Sequence, residues 1–259
     1  MAPASDSDDS EGEQGRVVLV TGGSRGIGLA CARRFQAGGD RVAVTYRTTP
    51  PPDLAHPLPR FAGAPPLLPV VCDVTDATAV DAAFAQVEEA WGPVEVVVAN
   101  AGITQDMLLL RMGEEAWSEV IDTDLSGVYR TVRRGLKAMV RAHEGRIIII
   151  SSVVGFLGSA GQVNYAAAKA GLVGLARSLA REVGSRGITV NVVAPGMVDT
   201  DMIASLGDQR VEQLRSMVPL GRAATVDDVA GAVAFLASAD AAYVTGAVLA
   251  VDGGLAMGL

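Results

Sequence analysis

A chain of 259 residues that is 49% apolar is long enough for one large α/β domain whose sheet is covered on both faces. Its apolar runs, such as 94–99 and 147–150, fall far short of the roughly 20 residues a membrane helix needs, so no span and no membrane partner are expected. The net charge is −8, and beyond the first fifteen residues 24 acids stand against 21 bases, a balance too acidic for a nucleic-acid binder.

Residues 1–15 contain Asp6, Asp8, Asp9, Glu11 and Glu13 with no base and no apolar run. They resemble neither a signal peptide nor a transit peptide and read as a disordered acidic tail. Over residues 16–259, short Val/Ile-rich runs alternate with longer Ala-rich helical patterns. Strands are predicted at 17–21, 41–46, 68–72, 94–99, 146–151, 188–193 and 248–251, and helices at 26–37, 76–91, 114–121, 126–142, 163–183 and 226–238. The runs are nearly continuously apolar instead of alternating, which suits strands buried on both faces. The expected fold is therefore α/β: a single-domain Rossmann-type, doubly wound parallel sheet of about seven strands with helices on both faces.

Two stretches break the repeat. Residues 48–66 carry seven prolines, which remove donors and forbid helix, so a loop is expected in place of a full crossover helix. Residues 200–219 are polar and broken by Gly207, as a substrate-covering lid or an ordinary surface insertion would be. Cys31 and Cys72 lack metal spacing and read as small buried hydrophobes in a reducing cytoplasm. His56 and His143 have no cluster of ligands beside them and read as surface residues, so no metal is expected.

Directly after the first strand comes Thr21-Gly22-Gly23-Ser24-Arg25-Gly26-Ile27-Gly28, opening a helix. Gly22 allows a tight turn, Gly26 lets backbone amides approach a pyrophosphate, and Gly28 lets helix and strand pack closely, while the helix start presents N–H groups to the anion. A glycine-rich turn alone would say little; at the first βα junction of such a repeat it points to a dinucleotide. The second strand ends Thr45-Tyr46-Arg47, without the acid that commonly binds the ribose 2′-hydroxyl of NAD. Arg47 and Arg25 suit a 2′-phosphate, hence NADP(H); the alternative is that Arg47 points to solvent.

Tyr165 and Lys169 are four apart in a helical stretch and share a face. Ser152 follows the fifth strand, at the end of the sheet where open α/β folds bind ligands. A neighbouring ammonium is expected to lower the pKa of a phenol, ordinarily about 10, so that the pair works as acid or base. A Tyr-x-x-x-Lys pair is weak by itself. Of 21 basic residues, however, only Lys137 and Lys169 are lysine, so a lysine here suggests a need for a compact ammonium of adjustable pKa.

With these pieces go Cys72-Asp73-Val74, Asn100-Ala101-Gly102, Asn164-Tyr165-Ala166-Ala167-Ala168-Lys169, Asn191-Val192-Val193-Ala194-Pro195-Gly196 and Val251-Asp252-Gly253-Gly254, with Ser152 thirteen residues before Tyr165. Over about 240 residues from Arg16 on, the chain resembles the short-chain dehydrogenase/reductases, most closely the bacterial 3-oxoacyl-(acyl-carrier-protein) reductases of fatty-acid synthesis. The resemblance implies that Asp73 and Val74 contact the adenine and that Asn100, Ala101 and Gly102 shape the cofactor cleft. It implies that Pro195, Gly196, Val198 and Thr200 hold the nicotinamide end. Ser152 would bind the substrate carbonyl, Tyr165 would protonate its oxygen as hydride arrives, and Lys169 would also bind the nicotinamide ribose. It further implies an acyl-carrier-protein-linked substrate, Arg186 in docking, and a homotetramer.

One position departs from the family, which places asparagine forty-one residues before the tyrosine to anchor a water beside the lysine; here it is Asp124. Its charge favours protonated Lys169 and predicts altered pH dependence, or else an impaired copy. The helix over 126–142 carries Arg130, Arg133, Arg134, Lys137 and Arg141, either a docking stripe for an acidic carrier or a solvated face. Two other readings stay open: the same mechanism on a free ketone, polyketide intermediate or small alcohol, and a cofactor-binding regulatory or scaffold protein without turnover.

Overall fold

The computed structural model describes residues 15–52, 66–199, 212 and 215–257. Seven parallel strands form one sheet in the order β3-β2-β1-β4-β5-β6-β7: β1 Val17–Val20, β2 Arg41–Tyr46, β3 Leu68–Val71, β4 Val96–Ala99, β5 Gly145–Ile150, β6 Ile188–Pro195 and β7 Val248–Val251. The chain winds outward through β1, β2 and β3, then returns to place β4 on the other side of β1. The order reverses there, and a crevice for ligands opens at such a switch point.

Alternate residues of each strand project to opposite faces, so each continuous apolar run feeds two cores. Val17, Leu19, Ile147 and Ile149 pack on one face with Phe84 and Leu172, under α2 (Ala77–Trp91), α4 (Gly127–Ala142) and α6 (Val163–Val183). Val18, Val20, Ile148 and Ile150 pack on the other with Phe35 and Leu236, under α1 (Gly26–Ala37) and α7 (Val226–Leu236). Each fully buried Leu, Ile or Phe contributes about 1.5–3 kcal/mol. The two layers explain why the strands read as uniformly apolar.

The predicted elements form with small shifts at their ends, and two features differ from expectation. Between β5 and α6, where neither strand nor helix is predicted, Val154–Leu157 forms a short helix, α5. Helix α3 (Glu114–Ile121) and α4 are not separate helices with a gap: a π-helical turn, Asp122–Ser126, joins them. The wider turn carries Asp124 inward, where it is fully buried.

Strand β3 ends the strand order and contains Pro69. The Cys72 N–H donates to the Tyr46 carbonyl at 2.9 Å; by alternation Val70 and Leu68 face β2 as well. The donor that Pro69 lacks therefore falls on the outer side. Cys31 and Cys72 are buried and unpaired, and His143 is exposed. Among the described residues no helix is long and apolar enough to cross a membrane. The predicted acidic tail but for Gly15, His56 with most of the proline-rich stretch, and most of the predicted lid lie outside the described residues.

Candidate active site

The predicted site residues gather at the carboxyl ends of β1, β4, β5 and β6. Gly22 takes a left-handed φ of +62°, and a Cβ there would stand 2.8 Å from the Ala101 Cα. A side chain on Gly28 would collide with the Gly22 carbonyl and the Asn100 amide. Gly23 lies against Val44, while Ser24 and Ile27 are partly exposed. Helix α1 starts at Gly26 behind Arg25, with no side-chain cap and no acid in its first turn. Its first N–H groups and the positive end of its dipole thus face the crevice.

Three polar side chains hold this turn. Asn100 Nδ2 donates to the carbonyls of Thr21 at 2.9 Å and Gly22 at 3.0 Å. The buried Thr21 hydroxyl accepts the backbone N–H groups of Asn100 at 3.0 Å and Ala101 at 3.1 Å. Thr45 accepts from Gly22 N at 3.3 Å and, through its carbonyl, from Gly23 N at 2.9 Å. Sequence reasoning missed the buried roles of Thr21 and Thr45; a threonine within an otherwise apolar strand was the available signal.

Arg47 is exposed at the end of β2. Asp73, just past β3, accepts from Thr75 N at 2.9 Å and from its hydroxyl at 2.7 Å. Partial burial opposes the Asp73 charge, but these bonds, with Arg47 and Arg130 nearby, hold its carboxyl below the usual range. Val74 is buried against Gly127.

Ser152, two residues past β5, is buried and within hydrogen-bonding reach of the Tyr165 phenol. The N–H of its neighbour Val153 donates to the Pro195 carbonyl at 3.0 Å, tying this turn to the end of β6. Tyr165 is set near the start of α6 by Asn164, whose Nδ2 donates to the carbonyls of Gln105 at 3.1 Å and Ala116 at 3.0 Å and whose Oδ1 accepts the Tyr165 N–H at 2.8 Å. One turn on, Lys169 Nζ lies 5.3 Å from the Tyr165 ring centroid and donates to the Ile150 carbonyl at 3.2 Å. It also meets Asp124 Oδ2 at 3.1 Å in a buried ion pair, while Asp124 Oδ1 accepts the Ile103 N–H at 2.8 Å.

The electrostatics correct one expectation. Lys169 does pull the Tyr165 pKa down, helped by Ser152, but burial is the larger effect and Asp124 adds to it, so the phenol lies above its ordinary value. Burial works against the Lys169 ammonium too, yet the Asp124 carboxylate and the Tyr165 oxygen outweigh it and raise the lysine. A phenol that holds its proton beside a fixed ammonium is suited to giving that proton away.

The loop after β6 closes the cleft. Gly196 packs directly on the Asp252 backbone, and its N–H donates to the Val251 carbonyl at 3.0 Å. Val198 bridges Ala224, while Thr200 lies outside the described residues. Asn191 works at a distance: it donates to the Val244 carbonyl at 2.7 Å and accepts from Ala247 N at 3.1 Å, fastening the segment that leads into β7.

A family model described as enoyl-(acyl carrier protein) reductase matches residues 22–256. The chain belongs to the short-chain dehydrogenase/reductase family. It is 50% identical over 243 residues to the 3-oxoacyl-[acyl-carrier-protein] reductase MabA of Mycobacterium avium, covering 94% of this chain and 91% of the relative. The MabA of Mycobacterium tuberculosis is 51% identical over 245 residues, 94% of each chain. The 3-oxoacyl-[acyl-carrier-protein] reductase FabG of Escherichia coli is 46% identical over 244 residues, covering 94% and 98%. As a short-chain dehydrogenase/reductase, the chain carries its serine, tyrosine and lysine on the β5 end and α6, joined by an aspartate from the π turn.

The basic helix is less available than its spacing suggested. Arg130 pairs with Asp122 at 2.6 Å; Arg134 pairs with Glu88 at 2.6 Å and Asp81 at 3.0 Å, and Lys137 lies 3.6 Å from Asp81. Arg133 and Arg141 are exposed. Arg186 lies 3.3 Å from His143. Three of the five stripe residues therefore hold α2, α4 and the π turn together.

Proposed function

We propose that this protein reduces the 3-oxo group of an acyl thioester carried on acyl carrier protein to the 3-hydroxyacyl product, using NADPH. The observation that carries this reading is the convergence of the Ser152 hydroxyl and the proton-holding Tyr165 phenol on one cleft, in a chain about half identical to 3-oxoacyl-[acyl-carrier-protein] reductases. Bound in the crevice, the reduced nicotinamide supplies the hydride. The uncapped start of α1, with no acid in its first turn, suits a pyrophosphate, and Gly22 and Gly28 let the turn pack against the β4 end more closely than any Cβ would allow. Arg25 and Arg47 would hold the 2′-phosphate, Asp73 and Val74 would contact the adenine, and Asn100, Ala101 and Gly102 would shape the cofactor cleft. Pro195, Gly196 and Val198, with Thr200 by family resemblance, would serve the nicotinamide end, and Lys169 would bind its ribose.

In the reaction, Ser152 donates a hydrogen bond to the substrate carbonyl and so aligns it and draws electron density toward its oxygen. Tyr165 transfers its proton to that oxygen as charge develops there, and the neighbouring Lys169 ammonium steadies the phenolate left behind. We further place the protein in the cytoplasm, consistent with two buried unpaired thiols. It is assigned as a single domain over 16–259 behind an acidic tail and as a homotetramer; the exposed apolar side chains of Phe235 and Tyr243 near the edge strand β7 support association.

Following NADPH oxidation with acetoacetyl-acyl carrier protein, its coenzyme A analogue, a simple ketone and a crotonyl thioester tests the reading. The carrier-linked ketone is expected to give the highest kcat/KM, and Tyr165→Phe to lower it at least about a hundredfold. Reduction of the crotonyl double bond alone, or an unaffected Tyr165→Phe, would overturn it.

A further inference from the structure

The Asp124–Lys169 pair is sealed from solvent: Asp124 is 0% and Lys169 3% exposed. One carboxylate oxygen is fixed by the Ile103 N–H at 2.8 Å. The other lies 3.1 Å from the ammonium, as a buried ion pair. Gly102 backs onto both groups; a Cβ there would stand 2.7 Å from Asp124 Oδ2 and 3.3 Å from Lys169 Nζ. Glycine at 102 leaves the two groups room to meet.

We propose that Asp124 is a positioning residue that acts through Lys169: its carboxylate neutralises the buried ammonium, so that Tyr165 remains a neutral phenol and the site is biased toward reducing ketones over oxidising alcohols. This inference rests on the reading of Tyr165 as the proton donor. An amide of the same size at this position would leave the ammonium uncompensated and favour phenolate, the form that accepts a proton from an alcohol.

The surrounding charges agree. Tyr165 feels Lys169 from its own helix, Asp124 from the π turn and Asp106 from the loop before α3, with the Ser152 hydroxyl within hydrogen-bonding reach. Of the other elements packed on α6, α5 and β6 carry no charged side chain. On α3, Glu119 accepts from Gln105, while Glu114 and Glu115 are exposed. On α4, Arg130 is paired with Asp122, which lies in the π turn. Burial does most to raise the phenol, and the two acids that face the one ammonium around it add to that shift. In the forward step the phenol O–H bond breaks, its proton joins the carbonyl oxygen, and hydride from NADPH joins the carbonyl carbon.

The test compares Asp124 with Asp124→Asn by two measurements. One is the pH profile of acetoacetyl-coenzyme A reduction and of 3-hydroxybutyryl-coenzyme A oxidation. The other is ultraviolet titration of the phenolate, taken in each background as the difference from Tyr165→Phe. In Asp124→Asn, the alkaline limb of reduction and the phenolate midpoint should both move down by about one pH unit or more, and oxidation at neutral pH should gain on reduction. Unmoved limb and midpoint overturn the inference. Full reduction by Tyr165→Phe would instead overturn the functional reading itself. If Asp124→Asn folds poorly, the Asp124 protein still decides: its Tyr165 should titrate above the usual value of about 10, and a lower midpoint overturns the inference.

Discussion

The side-chain amide of Asn100 donates to the Gly22 carbonyl at 3.0 Å, so the end of β4 and the turn after β1 are one unit across the switch point of the sheet. The same amide holds Thr21, whose hydroxyl returns two bonds to the β4 end. Asn100→Ala leaves two carbonyls without this donor. Chemical denaturation should show a loss of about 1–3 kcal/mol, and the KM for NADPH should rise.

Gly28 is the tightest point of the cradle. Gly28→Ala places a methyl group against the Gly22 carbonyl and the Asn100 amide, so the turn proposed to hold the pyrophosphate must open. Fluorescence titration should show NADPH binding weakened at least about tenfold. Unchanged affinity would mean that the cofactor does not use this turn.

The identity of these elements was legible because each layer leaves a different mark. Strands buried on both faces read as uninterrupted runs, glycines mark where the turn after β1 packs closely on the β4 end, and Tyr165 and Lys169 share a helix face. The direction of the Tyr165 shift was not legible, because desolvation depends on what covers the ring and no local spacing encodes it. Nor was the engagement of Arg134: its partners Glu88 and Asp81 come from α2, some fifty residues earlier in the chain, and only packing brings them together. The π turn was hidden because residues 122–126 carry no punctuating proline or glycine.

Cofactor choice should follow charge at the end of β2. Arg47→Asp replaces an exposed guanidinium with a carboxylate at the end of β2, where the 2′-phosphate is proposed to bind. Measured kcat/KM for NADPH should fall at least about tenfold, while that for NADH changes little or rises. A preference unaffected by the substitution would place the 2′-phosphate elsewhere.

The two thiols give a pH dependence of opposite sense to that of a paired carboxylate. Burial pushes Cys31 up to about 12; burial, with Asp73 and Asp76, pushes Cys72 to about 11. Both groups keep their protons in the fold, whereas the unfolded chain releases them from about pH 8.5. Their contribution is complete below that pH and is lost as pH rises toward the folded values. Urea midpoints should therefore fall on the alkaline side, less steeply in Cys31→Ala. A thiol reagent should label neither residue quickly in the native protein at neutral pH.

Pro69 sets a boundary for the whole sheet. Exposed strand margins invite recruitment of further chains through their unpaired donors, and this one is short of a donor midway along its four residues. Lateral growth from β3 into extended fibrous assemblies is thereby discouraged. At the opposite margin, β7 carries no proline, and the aromatic side chains of Phe235 and Tyr243 stand out from the surface near it.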